Sequence, residues 1–483
     1  MVKKILLFAL LLAVITQGKT QIWNVYNTQN SDILGNTVLA LVADSKGNKW
    51  IGTNEGLNKL YGKSWTDYSA FNKKLRGQYV NCLTVDANNM LWIGTDDHGV
   101  IKFDGTNWKE HEAETKRLNM KFIRDIAIDK NDGKWIGVTL GGLVHFDNKK
   151  WTKYTSKDSD LLSDFILCVT VDNDNLKWIG TNRGLSVFDG RTWYSYTPKN
   201  SKLLDTIVPA VVVDGNNVKW IATLNGLCSY DNGRWNTYTT KNSDIPSNQV
   251  NDLAIDKNGV LWVTTNKGIA AFDGKQWIVY NKENSGLMVE EVLNISIDNQ
   301  NNRWLGTNFY GIVCFSGYTV MGQLTNESGS PIADAEVLVG KQTVKTDEKG
   351  YYRTEVANGT NVVITPKTDG YTFEPSSISL SKVSNFELDK NFVAKREVLT
   401  AEGGNSTIGK VTVTPYLEQG YITISFDGDM AEVEIKSNNK VVRNIPNYKK
   451  GNKINISKYP KGVYKITVRT NKWEKTVTLN KKH

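Results

Sequence analysis

The sequence predicts an all-β protein whose first part repeats one four-stranded unit seven times. A tryptophan recurs every 42 or 43 residues, and such a period determines the architecture before any single motif does. Each period contains four short runs rich in β-branched and aromatic residues, separated by glycine-containing turns, which favours strands over helices. The recurring tryptophans are Trp50, Trp92, Trp135, Trp178, Trp220, Trp262 and Trp304.

The fourth copy illustrates the order within a unit. A first apolar strand ends at Asp172, and a second strand begins six residues later at Trp178. A glycine turn leads to a third strand that ends in Phe188-Asp189-Gly190, and Trp193 opens the fourth strand. Because glycine takes positive φ without strain, the Asp-Gly pairs predict two-residue hairpin turns. These pairs are Asp104-Gly105, Asp189-Gly190 and Asp273-Gly274.

An aspartate stands six residues before each recurring tryptophan. In a tight turn, an aspartate side chain accepts hydrogen bonds from nearby backbone N–H groups. We expect this role for all seven, since each loop holds too few carboxylates for a calcium ion. The seven are Asp44, Asp86, Asp129, Asp172, Asp214, Asp256 and Asp298.

The two ends of the repeat region predict how it closes. Trp23-Asn24-Val25-Tyr26 is a fourth strand with no unit in front of it, and the seventh unit, around Trp304, lacks a fourth strand of its own. Four short strands per unit are typical of a propeller blade. The N-terminal strand is therefore predicted to complete the last blade of a seven-bladed β-propeller, which removes an exposed sheet edge. Two small β-sandwich domains are predicted to follow.

The repeated pattern Asp-x5-Trp-Ile-Gly-Thr-x-x-Gly-Leu-x-x-Phe-Asp-Gly-x-x-Trp resembles the two-component regulator propeller repeat, over residues of about 21–316. In that family, such blades often form the periplasmic sensor halves of hybrid histidine kinases, which frequently sense glycan fragments. This sequence shows no transmembrane helix, kinase or DNA-binding segment. The resemblance therefore implies a ligand-binding propeller over residues 19–316, without a signalling role.

Residues 317–396 resemble the carboxypeptidase regulatory-like domain, on segments such as Gly329-Ser330-Pro331 and Gly350-Tyr351-Tyr352. That resemblance implies a small immunoglobulin-like β-sandwich that serves as a spacer and has no catalytic role. Residues 397–409 are a predicted polar linker. Residues 410–483 resemble the C-terminal sorting domain of the type IX secretion system of Bacteroidetes, on Asn455-Ile456-Ser457, Pro460-Lys461-Gly462-Val463-Tyr464 and a lysine-rich end. Thr414-Pro415-Tyr416 stands where that family has Pro-Asn-Pro, and a plain C-terminal sandwich is the alternative.

The N-terminus predicts export. Residues 1–18 have the pattern of a signal peptide, with Lys3 and Lys4 before an apolar run and small residues at 16–18. The apolar run is short for a membrane span. We expect a secreted or cell-surface protein, or alternatively a periplasmic one, whose C-terminal domain could engage the type IX secretion machinery.

Charge is concentrated at the C-terminal end. Residues 410–483 contain fifteen Lys or Arg and six Asp or Glu. This excess of nine positive charges equals the net charge of +9 for the whole chain. An anionic cell-surface polymer or a solvated surface explains this excess in an exported protein, and no nucleic-acid partner is expected.

No residue set predicts a metal, a cofactor or a catalytic residue. The four histidines do not stand at ligand spacing from one another or from a cysteine. The four cysteines, Cys82, Cys168, Cys228 and Cys314, lie in apolar strand runs and are predicted to be buried thiols. The chain has no nucleophile elbow and no phosphate-binding loop. Paired carboxylates from distant blades stay open, with Asp97 and Glu290-Glu291 as the acidic candidates and a solvated surface as the competing explanation.

The candidate ligand residues lie in loops where the seven copies differ. In a propeller, the connection into each first strand and the turn between second and third strands share one face. Equivalent connections carry aromatic residues in three successive units, and the turns carry charged and aromatic residues such as Asp97 and Lys267. The predicted ligand-binding residues are Tyr79, Phe122, Phe165, His98, Arg124, Arg183, Phe309 and Tyr310. Aromatic faces with a few charged groups suit a sugar or a peptide. The alternative is that the aromatic side chains fill the channel or pack between blades.

The function expected from these observations is an exported, non-enzymatic binding protein for a glycan or a protein partner. A propeller-fold polysaccharide lyase or glycoside hydrolase is one alternative. A structural surface protein or a stand-alone sensor-type propeller is the other.

Overall fold

The computed structural model describes residues 22–368, 371–396, 411–416, 420–426, 428–438, 440–460, 462–470 and 474–481. The predicted signal peptide at 1–18 and linker at 397–409 lie outside these residues. Within them, the chain forms β-strands and one short helix, so the prediction of an all-β fold is confirmed. The chain divides into two compact units, the first ending at Gly317 and the second beginning at Tyr318.

The first unit consists of four-stranded antiparallel sheets, one for each sequence repeat. The N-terminal strand is β1 (Trp23–Tyr26). Sheet 1 contains β2 (Val38–Ala43), β3 (Lys49–Thr53), β4 (Gly56–Tyr61) and β5 (Ser64–Asp67). Sheet 2 contains β6 (Val80–Val85), β7 (Leu91–Thr95), β8 (Val100–Phe103) and β9 (Trp108–Glu110). Sheet 3 contains β10 (Ile123–Ile128), β11 (Lys134–Val138), β12 (Gly142–Phe146) and β13 (Trp151–Tyr154).

The later repeats follow the same plan. Sheet 4 contains β14 (Ile166–Val171), β15 (Lys177–Thr181), β16 (Leu185–Phe188) and β17 (Trp193–Tyr196). Sheet 5 contains β18 (Val211–Val213), β19 (Lys219–Thr223), β20 (Gly226–Asp231) and β21 (Arg234–Tyr238). Sheet 6 contains β22 (Val250–Ile255), β23 (Leu261–Thr265), β24 (Gly268–Phe272) and β25 (Trp277–Tyr280). Sheet 7 contains β26 (Val292–Ile297), β27 (Arg303–Thr307), β28 (Ile312–Phe315) and the N-terminal strand β1.

Strand β1 pairs with β28 in the register Trp23↔Phe315 to Tyr26↔Ile312. The predicted completion of the last repeat by the N-terminal strand is therefore present. The first strands of successive sheets lie side by side, and β26 lies beside both β22 and β2. The Nδ2 atom of Asn294 in β26 donates to the carbonyl of Val38 in β2 at 2.9 Å, which joins sheet 7 to sheet 1.

An aspartate–tryptophan pair stabilises every sheet of the first unit, and its aspartate is buried in all of them except sheet 5, where Asp214 is half-buried. Each repeat tryptophan is buried and donates its indole N–H to Oδ2 of the aspartate six residues earlier, at 2.8–3.2 Å. The Oδ1 atom of the same aspartate accepts the backbone N–H groups two and four residues later. The turn role predicted for the seven aspartates is confirmed, and the indole bond is an addition to it.

A cation connects this pair to the next sheet in five of the seven sheets. The residue before the repeat tryptophan is a lysine or arginine whose charged end lies over the tryptophan ring of the preceding sheet, at 4.5–5.4 Å from the ring centroid. The pairs are Lys49 on Trp304, Lys134 on Trp92, Lys177 on Trp135, Lys219 on Trp178 and Arg303 on Trp262. In sheets 2 and 6 this position is Leu91 and Leu261, which pack in apolar clusters with the preceding tryptophans Trp50 and Trp220.

The hairpins differ from the prediction at the Asp-Gly pairs. Asp104-Gly105 does not form a two-residue turn; residues 104–107 form a four-residue connection in which Oδ1 of Asp104 accepts the backbone N–H groups of Thr106 and Asn107. The carboxylate caps these two amides, so the aspartate ends the strand instead of occupying a central turn position. The equivalent bonds of Asp189 and Asp273 show the same geometry.

A short helix also departs from the prediction. Helix α1 (Glu112–Leu118) lies between β9 and β10, in a connection that the sequence predicts only as polar. It ends at Asn119, which adopts left-handed φ and ψ, a conformation that asparagine tolerates better than most residues.

Within its described residues, the second unit forms strands and no helix. Residues 317–396 form β29 (Gly317–Asn326), β30 (Glu336–Val339), β31 (Gln342–Lys345), β32 (Tyr351–Ala357), β33 (Val362–Lys367), β34 (Tyr371–Glu374), β35 (Ile378–Leu380) and β36 (Phe392–Arg396). The sheet orders are β32-β29-β36-β34 and β31-β30-β33-β35, and both sheets contribute side chains to one hydrophobic cluster that includes Tyr352 and Phe392.

The C-terminal residues form two further sheets with a hydrophobic cluster of their own. The strands are β37 (Thr412–Tyr416), β38 (Tyr421–Ser425), β39 (Met430–Ser437), β40 (Lys440–Lys449), β41 (Lys453–Asn455), β42 (Gly462–Arg469) and β43 (Glu474–Lys481). The sheet orders are β37-β38-β41 and β40-β39-β42-β43. Their cluster includes Ile424, Phe426 and Tyr464.

Two sequence predictions concern the chain as a whole. The four cysteines are buried and unbridged, as the sequence predicts. In the part of the chain that the structure describes, no helix has the length and hydrophobicity that a bilayer crossing requires.

Candidate functional site

The connections that lead into the first strands meet the turns between second and third strands on one face of the first unit. Backbone bonds join the two sets of loops: the amide of Asn54 donates to the carbonyl of Thr37, and the amide of Thr139 donates to the carbonyl of Phe122. The amide of Gly311 likewise donates to the carbonyl of Asn36. We call this surface the loop face.

Exposed apolar side chains are concentrated on the loop face. Among the described residues of the first unit, ten large hydrophobic side chains are exposed. Tyr61 and Tyr194 lie on strands β4 and β17, and the other eight lie in loops of the loop face. Those eight are Phe71, Tyr79, Phe122, Leu140, Leu224, Met288, Phe309 and Tyr310. Large apolar surface that a protein leaves exposed on one side is typical of a binding site.

Three of these side chains stand on a strained backbone. Phe122, Leu140 and Phe309 have φ angles of 55°, 60° and 71°. The left-handed region costs a residue with a Cβ atom about 1–2 kcal/mol, and it is an outlier for bulky residues. Leu140 and Phe309 are 72% and 71% exposed, so burial within this chain does not offset the strain. Backbone strain of this kind clusters at ligand-binding positions.

A cavity of about 360 Å³ lies among the first strands, beside the loop face. All seven first strands, or the residues directly before them, contribute to its walls. We call it the axial cavity. Its polar and charged lining residues are Asn81, Arg124, Asp125, Asn251, Asp252 and Asn294. Because Asn81 and Arg124 stand two residues after Tyr79 and Phe122, the cavity adjoins the aromatic part of the loop face.

Two carboxylates in the axial cavity join neighbouring sheets. Asp125 accepts the amide of Ile126 at 2.8 Å and, with its other oxygen, the amide of Val169 in sheet 4 at 2.7 Å. Asp252 accepts the amides of Leu253 at 2.8 Å and of Ile295 in sheet 7 at 2.9 Å. Both aspartates stand at β-bulges of their strands, so the carboxylate satisfies backbone donors that the sheet ladder leaves open.

Burial determines the protonation of these two carboxylates. Desolvation raises the pKa of Asp125 to about 6, against the opposing effects of its two backbone hydrogen bonds and of Arg124. Desolvation raises the pKa of Asp252 to about 7, and the nearby Asp125 adds to the increase, while the backbone bonds from Ile295 and Leu253 oppose it. Asp252 therefore carries a partial negative charge near neutral pH.

Raising the pH from 5 to 8 is expected to stabilise an Asp252→Asn variant relative to the wild-type chain. The folded pKa of Asp252 lies above the value of about 4 for an unfolded aspartate. At this residue the folded wild-type chain therefore binds more protons than the unfolded chain, and the contribution of Asp252 to the free energy of unfolding falls as the pH rises through this interval. Burial lowers the pKa values of His111 and His145, which gives a slope of opposite sign that both proteins share.

The measurement is the difference in Tm between the Asp252→Asn variant and wild type at intervals from pH 5 to pH 8. A constant difference for Asp252→Asn would contradict the assigned pKa.

The predicted site residues occupy three places. Tyr79 and Phe122 are 49% and 47% exposed directly before the first strands, and Phe165 is more covered at the equivalent place. Arg124 lines the axial cavity, and none of the three aromatic residues does. The other predicted residues stand in turns after second strands: His98, Arg183, Phe309 and Tyr310.

The predicted acidic candidates lie away from the axial cavity. Asp97 forms an exposed ion pair with Lys121 at 3.8 Å, and Glu290 pairs with Lys282 at 3.5 Å. The carboxylates that line the cavity are Asp125 and Asp252, neither of which the sequence pattern predicts as a site residue. Their signal is an aspartate at the third position of a first strand, after Arg124 or Asn251 and before three apolar residues. Leu140, Leu224 and Met288 were also missed, because isolated aliphatic residues in variable loops carry no pattern.

Two stretches of the chain, residues 74–97 and 244–267, match the family model of the two component regulator propeller. Each runs from the loop face through the first and second strands of one sheet to the following turn, so the matched stretches include Tyr79 and Asp252. No curated protein of similar sequence is found.

Several solved structures have a similar fold. The extracellular domain of the hybrid two-component system BT3049 from B. thetaiotaomicron has a TM-score of 0.56 and 18% identity, with 95% of this chain and 57% of that domain covered. The extracellular domain of the one-component system BT4673 from the same organism has a TM-score of 0.52 and 15% identity, with 96% and 74% covered.

Virginiamycin B lyase from Staphylococcus aureus has a TM-score of 0.50 and 14% identity, with 60% of this chain and 98% of the lyase covered. At these identities the similarity concerns the fold alone, and this chain spans little more than half of the BT3049 domain. Residues 74–97 and 244–267 are two-component regulator propeller repeats, and the first unit of this chain is a β-propeller.

Proposed function

We propose that this chain is an exported, non-enzymatic binding protein whose propeller holds a glycan or a protein partner on the loop face. The observation that carries the proposal is the concentration of exposed apolar side chains on that face. Eight such residues lie there, and three of them stand on left-handed backbone. Exposed apolar groups and uncompensated strain both lower the stability of the free chain, and a bound partner compensates for both.

The architecture behind this proposal is a closed seven-bladed propeller followed by two β-sandwiches. Support for closure comes from sheets 1 and 7: Lys49 of sheet 1 lies over Trp304 and pairs with Asp298 at 3.4 Å. The separate hydrophobic clusters of residues 318–392 and 411–479 support two further domains. In this proposal, a signal peptide at 1–18 exports the chain, residues 317–396 act as a spacer, and residues 410–483 address the chain to the type IX secretion machinery.

The triple substitution Tyr79→Ala, Phe122→Ala and Phe309→Ala is expected to weaken binding of the partner by at least about 100-fold, because aromatic anchors supply about 2 kcal/mol or more each in typical interfaces. The measurement uses the full-length chain on a glycan array and on a displayed peptide library, followed by titration of the best ligand. The matched control is Tyr61→Ala with Tyr194→Ala, which removes two exposed aromatic side chains outside the loop face and should leave binding unchanged.

Glycine variants separate binding from folding. Phe122→Gly and Phe309→Gly remove the same side chains and relieve the left-handed strain, so these variants should lose binding while keeping the Tm of wild type or exceeding it. Binding that survives the triple alanine substitution would contradict the site. Absence of any glycan or peptide ligand would contradict the binding function, and release of product from a polysaccharide would contradict the non-enzymatic assignment.

A further inference from the structure

We propose that the partner is a polypeptide that inserts one basic side chain, a lysine or an arginine, into the axial cavity towards Asp252, while its apolar side chains cover the loop face. This inference rests on the proposed function and selects between its two ligand classes. It follows from the charge of the cavity and from the chemistry of the exposed side chains around it.

The charged groups that line the axial cavity do not balance. Asp125 and Asp252 are carboxylates, and Arg124 is the one cation among the described residues of the lining; the other polar side chains are neutral amides. Arg124 adjoins Asp125 and acts on it electrostatically. No cation among the described lining residues plays that part for Asp252, whose pKa is instead raised further by Asp125.

The hydrogen bonds of Asp252 leave room for a ligand. Each carboxylate oxygen accepts one backbone N–H group, from Leu253 and from Ile295. A carboxylate has about four acceptor sites, so each oxygen retains a lone pair for a second donor. An ammonium or guanidinium group supplies both the donors and the positive charge, and a partly desolvated carboxylate gains most from a partner that brings both.

The size of the cavity fits one side chain. Its volume of about 360 Å³ lies at the small end of the range for ligand pockets. A long unbranched chain with a charged end has room to enter this space together with water, with its methylene groups beside the lining residues Leu39, Leu167 and Leu293.

The surrounding side chains favour a polypeptide over a glycan. Leu140, Leu224 and Met288 are exposed on the loop face, and aliphatic groups neither accept bonds from sugar hydroxyls nor present an aromatic ring for stacking. They match apolar side chains of a protein, and methionine adapts its shape to such a surface. Arginine is enriched among the residues that carry most of the binding energy of protein interfaces, which lie in desolvated pockets surrounded by contacts that exclude water.

The test uses the full-length chain and an immobilised library of decapeptides. The central position is Lys, Arg, Gln or Glu, and the flanking positions are mixtures of Leu, Phe, Ser and Gly. We expect Lys and Arg peptides to be retained at least about tenfold better than Gln peptides with the same flanks. The Asp252→Asn variant should reduce this preference to within about twofold, and the Asp97→Asn control, an exposed carboxylate on the same face, should leave it unchanged.

Asparagine is the substitution of choice because the chain uses it at the equivalent place, where Asn294 bonds across to the next sheet. A competition experiment on the wild-type chain gives an independent readout. Free n-butylammonium should displace bound Lys peptides, and n-butanol or sodium chloride at the same concentration should not.

Equal retention of Lys and Gln peptides, a preference that survives Asp252→Asn, or displacement by n-butanol as strong as by n-butylammonium would overturn the inference. Binding to the glycan array without binding to any peptide would overturn it as well and leave the proposed function standing. Absence of both kinds of ligand would overturn the inference and the proposed function together.

Discussion

Replacing Asp172 by alanine is expected to lower the free energy of unfolding by about 3–5 kcal/mol. The buried carboxylate accepts the amides of Asp174 and Leu176 at 2.9 and 2.8 Å and the indole N–H of Trp178 at 2.9 Å. It also forms an ion pair with the buried Lys219 of the next sheet at 3.0 Å. Alanine would leave these donors without an acceptor and Lys219 without its counter-charge, and unsatisfied buried groups carry the full cost of desolvation. Urea denaturation of the full-length chain measures the change.

A second substitution tests the reason for this effect. Leu91 and Leu261 occupy the place of Lys219 in sheets 2 and 6, so leucine fits there. The double variant Asp172→Ala with Lys219→Leu should therefore be more stable than Asp172→Ala alone, because no buried charge is left unpaired. Asp189, which also accepts backbone amides but is exposed, should give a much smaller change on replacement by alanine. A double variant no more stable than the single one would contradict the charge argument.

Replacing Trp23 by alanine is expected to cost about 3 kcal/mol of unfolding free energy and to loosen strand β1. The ring of Trp23 stacks on Phe315 at 4.1 Å between centroids and meets Tyr280 edge-on at 5.8 Å. No hairpin joins β1 to β28, so side-chain packing and four residue pairs hold this strand in sheet 7. Loss of β1 would expose the edge of β28, which is a template for aggregation.

The matched variant is Trp108→Ala in sheet 2. Trp108 stacks on Phe103 at 4.2 Å in the same way, but the chain connects β8 directly to β9 and keeps the strand in place. The two variants are compared by hydrogen exchange at the amides of sheets 7 and 2, including those of β28, and by their unfolding midpoints. We expect faster exchange in sheet 7 for Trp23→Ala than in sheet 2 for Trp108→Ala. Equal exchange rates would mean that the hairpin connection adds little to holding the fourth strand in its sheet.

The sequence predicts the repeated unit well because its key contacts are local. Asp172 and Trp178 are six residues apart, and the turn between them brings the carboxylate to the indole in every copy. The Asp-Gly pairs differ from the predicted two-residue turns because an aspartate side chain takes part in the turn. Their glycines do take positive φ, as at Gly105, but the carboxylate of Asp104 captures two amides and lengthens the turn to four residues.

The candidate site was predicted only in part. The sequence places Tyr79, Phe122 and Phe309 in loops that can vary, and the structure exposes them on the loop face. Whether they bind a partner stays a prediction. Leu140 has no sequence signal, because an exposed leucine and a buried one look the same in a loop, and only the folded chain shows its side chain in solvent.

The sequence by itself determined the all-β fold, the period of the unit and the pairing of the first strand with the last repeat. The tertiary structure decided which side chains meet between sheets. Lys219 reaches the ring of Trp178, and Asp252 reaches the amide of Ile295, across 41 and 43 residues of chain. A period of 42 or 43 residues says that two positions are equivalent, but not that they touch. Contact depends on how neighbouring sheets pack, which is a property of the assembled propeller and not of one repeat.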